Sequence, residues 1–167
     1  DLLVKLQEKD RLVEKLEGQI SCGPKRLKDL DNQLQSLEES FEAHQSRIQE
    51  LMKAQRQYEG EIEDGIAHMR KSRGRLMGIK NNKEYRALVK EIEETEKENA
   101  AREDQIIACL EELERLNEEL EDNENALASM SESVDKDKRE IAEEVAAMEK
   151  ELAAVSAEEE AVVHAIE

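Results

Sequence analysis

Apolar residues recur at alternating steps of three and four along most of this chain. From Leu27 the steps meet Leu30, Leu34, Leu37, Phe41, His44, Ile48, Leu51, Gln55, Tyr58 and Ile62. The same frame runs back through Ile20, Leu16 and Val13 to Leu6. Residues spaced by 3.5 on average line one narrow seam of a helix, and only a partner helix can bury such a seam. A second run starts at Tyr85 and passes Leu88, Ile92, Ile106, Leu113, Leu116, Leu120, Leu127, Met130 and Val134, then resumes as Ile141, Val145, Met148, Leu152, Val155 and Val162. Holding that seam continuous from Met130 to Val145 takes two consecutive four-residue steps, a stutter at which a supercoil locally unwinds.

Between the runs the pattern fails. Gly74, Gly78, Asn81 and Asn82 cluster there, and Gly and Asn tolerate the left-handed backbone that ends many helices. The pattern therefore predicts an all-α fold, a long antiparallel two-helix coiled-coil hairpin with its tip near Met77–Lys83. Two arms of about 80 residues at roughly 1.5 Å per residue would make a rod on the order of 120 Å long. Arms of equal length favour folding back over a parallel dimer, so the expected state is a monomeric hairpin or a weak homodimer. Pro24 lacks a backbone donor and clashes with the preceding turn, which predicts a kink near Pro24. The expected segments are a short leading helix over 1–21, arm one over 25–76, the tip over 77–83 and arm two over 84–167.

The seam is weakest beside the tip, where Gln55, Gly65, Thr95, Asn99 and Arg102 stand at positions that usually hold Leu. Such polar residues either fix the register or mark a mobile end, and the glycines from Gly60 to Gly78 favour mobility.

Composition agrees with a rod. The 167 residues are 41% charged and only 2% aromatic, whereas globular cores take much of their buried area from aromatics. The apolar share is mainly Leu, Ile, Val, Ala and Met among Glu, Lys, Arg and Gln, the mixture of long helices. No apolar run approaches the roughly 20 residues of a membrane span, and no signal-peptide pattern is present, so no membrane partner and cytoplasmic residence are expected.

Charge is unevenly placed on the chain of net charge -18. Residues 66–90 carry Arg70, Lys71, Arg73, Arg75, Lys80, Lys83, Arg86 and Lys90 against the single acidic Glu84, net +7. Residues 1–65 are net -5 and residues 91–167 net -20. A basic tip thus stands on an acidic shaft. Like charges packed so closely repel, and a site that accepts that repulsion commonly binds an anion, either nucleic-acid phosphate or an acidic protein face. Tyr85 is the lone aromatic at the tip, which is too little for stacking along single-stranded bases.

Catalytic chemistry is not indicated. Carboxylates on a solvated coiled coil have nothing to raise their pKa towards a working value. His44, His68 and His164 share no ligand spacing, and no Gly-rich phosphate loop follows a strand. Cys22 and Cys109 would lie roughly 45 Å apart in such a hairpin at 1.5 Å per residue, which excludes a disulfide between them within one chain. The chain is expected not to be an enzyme and to hold no cofactor of its own.

The stretch Lys80-Asn81-Asn82-Lys83-Glu84-Tyr85-Arg86-Ala87-Leu88, with Glu91-Ile92 after it, resembles the tip of the bacterial C4-type zinc-ribbon coiled-coil proteins. Leu2–Leu16 before Pro24 looks like the opening helix of that family. The resemblance implies a helical hairpin followed by a small ribbon that binds zinc through two Cys-x-x-Cys pairs. It also implies an adaptor or chaperone role, with partners such as the sigma-54 factor, flagellar or type III secretion components and, in some cases, RNA. This sequence contains no Cys-x-x-Cys, so no zinc ligand carries over, and zinc is expected only if a ribbon follows Glu167. The residues expected to bind a partner are Arg70, Lys71, Arg73, Arg75, Lys80, Lys83, Tyr85, Arg86 and Lys90. A purely structural spacer and a nucleic-acid-binding hairpin are the alternative functions compatible with the same residues.

Overall fold

The computed structural model describes residues 2–166. Among them the chain forms two helices, α1 (Leu2–Leu76) and α2 (Asn82–Ile166), which make a hairpin without strands. Heptad spacing places one apolar seam on each helix, and the seams face one another because neither helix alone can remove its stripe from water.

The chain divides into two compact units. Ser40–Glu124 forms the unit that holds the turn. Its core is a cluster of Leu51, Cys109, Leu113 and Leu116, with Ile48, Ala54 and Tyr58 packed against it. The second unit comprises the chain up to Glu39 together with the chain from Asn125 onward. Leu16, Val134 and Ile141 are its most buried apolar residues. Many other seam residues are only half-buried, as a two-helix pair covers each side chain from one direction.

The expected frame holds on α1. Leu6, Val13, Leu16, Ile20, Leu27, Leu30, Leu34 and Leu37 are all partly or fully buried, as are Phe41, His44, Ile48, Leu51, Gln55, Tyr58 and Ile62. The same steps continue through Gly65, Met69, Ser72 and Leu76. On α2 the two four-residue steps fall at Met130 to Val134 and Val134 to Lys138, after which Ile141 and Val145 resume the seam. Tyr85 does not belong to it. The seam of α2 opens at Leu88, and Tyr85 stands exposed.

The separate leading helix expected before Pro24 is not found. α1 runs unbroken with Pro24 inside it, so 1–21 is not a separate helix. Pro24 forfeits a single backbone bond and lies on an exposed face, while Leu16, Ile20 and Leu27 hold the seam on both sides of it. Packing on each flank overrides the local preference. Gly23 takes the seam position itself. A Cβ there would lie 2.7 Å from Val145 Cγ2.

Helix α1 ends at Leu76 as expected, but α2 begins at Asn82, so the turn is shorter than Met77–Lys83. No left-handed residue closes it, since no described residue, glycine included, has a positive φ. The turn instead tightens through three-residue hydrogen bonds, from the Gly78 N–H to the Arg75 carbonyl at 3.1 Å and from the Ile79 N–H to the Leu76 carbonyl at 3.4 Å. Asn81 caps α2. Its Oδ1 accepts the Lys83 N–H at 2.9 Å, and its carbonyl accepts the Tyr85 N–H at 2.9 Å.

Candidate functional site

The turn brings the last turns of α1 and the first turns of α2 together, and with them all the basic residues named from the sequence. Arg70, Lys71, Arg73 and Arg75 come from α1, Lys80 from the turn, and Lys83, Arg86 and Lys90 from α2. All eight are exposed. Two are neutralised locally: Arg73 Nη2 donates to Glu96 Oε1 at 2.6 Å, and Lys90 Nζ lies 3.7 Å from Glu94 Oε1, one helical turn on. Arg70, Lys71, Arg75, Lys80, Lys83 and Arg86 make no ion pair among the described residues.

The helix ends sharpen the asymmetry. Cations in the last turn of α1 suit the negative end of its dipole, but Lys83 and Arg86 sit at the positive end of α2, where carboxylates would be favoured. Glu84 is the only acidic residue in that first turn. The site therefore concentrates positive charge beyond anything the hairpin's own ion pairing uses.

Apolar groups accompany the charge. Met77 is 94% exposed at the turn, and Tyr85 is 48% exposed one turn into α2. A shallow groove at the turn is lined by Arg75, Gly78, Ile79, Glu84, Ala87, Leu88 and Glu91, so two carboxylates share it with one cation. The sequence pointed to Tyr85 but passed over Met77 and Ile79. Their signal was available, since apolar residues between the two heptad frames have no seam to fill.

Behind the turn, two of the polar seam residues, Asn99 and Arg102, form a joined network. Arg102 Nε donates to Glu61 Oε2 at 2.8 Å, and Arg102 Nη1 donates to Asn99 Oδ1 at 3.1 Å. Asn99 Nδ2 reaches the Ile62 carbonyl at 3.4 Å. Hydrogen bonds from Gln57 and Arg102 hold the Glu61 carboxyl below the usual carboxylate range. The Arg102–Glu61 and Asn99–Ile62 contacts cross between helices and are specific to one alignment, so they define register.

Among the described residues no three His, Cys, Asp or Glu side chains group as metal ligands. Cys22 is free and exposed, and Cys109 is free and buried in the apolar cluster. No described helix is long and apolar enough to cross a membrane.

Residues 6–167 match the CT398-like coiled coil hairpin domain. No curated protein sequence matches the chain. Among solved structures, the HP0958 protein of Helicobacter pylori CCUG 17874 is similar, with a TM-score of 0.73 at 17% identity, covering 98% of this chain and 69% of that one. That likeness is one of fold. A coiled-coil segment of Pyrococcus yayanosii Smc aligns over 98% of this chain and 86% of its own at 21% identity, with a TM-score of 0.30.

Proposed function

The chain belongs to the family of CT398-like coiled coil hairpin domains, and on that premise we propose that it is a non-enzymatic cytoplasmic adaptor or chaperone whose basic turn docks a protein partner. The observation that carries this is the set of six exposed cations at the turn with no ion pair. Their companions support a protein surface over a nucleic acid. Arg, Tyr and Met are enriched in the centres of protein interfaces, and Met77 and Tyr85 offer apolar contact beside the charge. A single aromatic offers little to a stack of bases. The acidic sequences flanking the turn would also repel nucleic acid.

The resemblance to the zinc-ribbon coiled-coil proteins suggests the sigma-54 factor and flagellar or type III secretion components as first partners to test. The experiment replaces Arg75, Lys80, Lys83 and Arg86 together by Glu and titrates purified sigma-54 from the same organism against both forms. Binding lost in the variant, with helical content retained, supports the reading. Equal binding by both forms removes the turn as the site. A labelled RNA titrated over a range of salt separates the nucleic-acid alternative, which requires affinity falling steeply with salt through the same residues. Function impaired by shortening both arms by matched heptads, yet insensitive to the turn, would point to a spacer. Zinc measured in the full-length protein would report whether a ribbon follows this domain.

A further inference from the structure

Charge is sorted by face at the start of α2. Glu84, Ala87, Leu88 and Glu91 recur at helical spacing and line the groove, so that side carries two carboxylates. Lys83, Arg86 and Lys90 recur at the same spacing and form a separate stripe whose three members are all cationic. Of these only Lys90 has an acidic partner, Glu94, on the side away from the turn.

Apolar surface accompanies this stripe. Met77 and Lys80 lie in the turn that leads into it, between the end of α1 and the start of α2, and Tyr85 precedes Arg86. Met77 is 94% exposed and Tyr85 48%. Neither belongs to the seam, so both leave apolar area in water beside free positive charge. Lys80, Lys83 and Arg86 make no ion pair among the described residues, and the positive end of the α2 dipole adds to their charge.

We propose that the turn takes an acidic segment of a partner protein carrying one large apolar side chain, with its carboxylates on Lys80, Lys83 and Arg86 and the apolar side chain on Met77 and Tyr85. This rests on the reading of the turn as a protein-docking site and adds the chemistry of what docks there. Charge complementarity selects an acidic segment, because the hairpin's own carboxylates leave these cations free. The two groove carboxylates turn that segment away from their side and along the cationic stripe. Met77 and Tyr85 select against a plain polyanion. A chain of phosphates or carboxylates without apolar groups leaves them facing water, whereas an anchor side chain covers them, and such anchors dominate interface energetics. A second copy of the chain is a poor occupant, since two chains of net charge -18 repel before the turn of one reaches the shaft of the other.

The test uses the whole chain and two synthetic peptides, one of Glu and Gln with a single central Leu, the other with Ala in place of that Leu. The natural chain should bind the Leu peptide at least about tenfold more tightly than the Ala peptide. Met77→Gln combined with Tyr85→Gln keeps the net charge and should remove that difference, leaving weak, salt-sensitive binding of both. Reversal of Arg75, Lys80, Lys83 and Arg86 to Glu should abolish binding of both peptides. Equal binding of the two peptides by the natural chain, or an unchanged preference in the double-Gln variant, overturns the proposal and leaves the cationic turn standing as a docking site. Undiminished binding after charge reversal removes the turn itself as the site. Binding of neither peptide also overturns the proposal. So does tighter binding to phosphatidylglycerol vesicles than to the Leu peptide, which assigns the turn to a membrane surface, or a dimer in sedimentation that charge reversal dissolves, which assigns it to a second copy.

Discussion

A Cβ placed on Gly65 would stand 2.5 Å from Asn99 Oδ1 and 2.8 Å from Asn99 Nδ2. Gly65 is thus the space into which the Asn99 amide fits, and Asn99 is only 6% exposed. Gly65→Ala should lower the melting temperature, because overpacking costs about 1–3 kcal/mol and exceeds the helix-propensity gain of about 1 kcal/mol. Combining it with Asn99→Ala should recover part of the loss. Additive effects of the two changes in thermal melts would show that the residues are not coupled.

Glycines elsewhere on the helices should behave in the opposite way. Gly18, Gly60 and Gly74 have nothing within 4 Å of an added Cβ. Each Gly→Ala change there should stabilise by about 0.5–1 kcal/mol through helix propensity. Gly23→Ala should destabilise, since its Cβ would meet Val145 Cγ2 at 2.7 Å, and Val145→Ala in the same chain should relieve it. Chemical denaturation of the five variants gives the ranking, and a stabilised Gly23→Ala would refute the close approach.

Asn81→Ala should remove the side-chain cap on α2 and cost about 1 kcal/mol. The effect should be local. Amide exchange is expected to quicken at Lys83 and Tyr85, whose N–H groups Asn81 accepts, while the Leu51–Cys109 cluster stays protected. Uniform loss of protection along both helices would argue against a capping role.

Two neighbouring carboxylates should respond to pH with opposite signs. A hydrogen bond that the protonated Glu159 donates to the Asp10 carboxylate, then desolvation and the charges around it, raise Glu159 above the usual carboxylate range. A raised folded value stabilises at acid pH, and that stability is lost as pH rises through it. Lys9 bonds Glu158 and lowers it, so its contribution is present at neutral pH and lost as pH falls through the lowered value. Glu159→Gln should therefore raise the melting temperature at neutral pH, and Glu158→Gln should lower it. Both differences should shrink below the ordinary carboxylate pKa. Differences that do not change with pH would show that these carboxyls contribute through packing alone.

Much of this protein was legible in its residues. The heptad steps from Leu6 to Ile62 and from Leu88 to Val162, the stutter at Val134, and the end of α1 at Leu76 all follow from where apolar side chains recur. Periodicity is a property of the chain, and a narrow stripe admits few ways to leave water. The cationic turn could likewise be counted before it was seen. Tertiary packing decided the rest. It carried α1 through Pro24, because seam contacts on either side outweigh one missing bond. It made Gly65 a socket for Asn99 and turned a weak-looking seam into a register-defining network, since a hydrogen bond across helices exists only once the alignment does. It left Tyr85 outside the seam and sorted the turn's cations into those with carboxylate partners and those without.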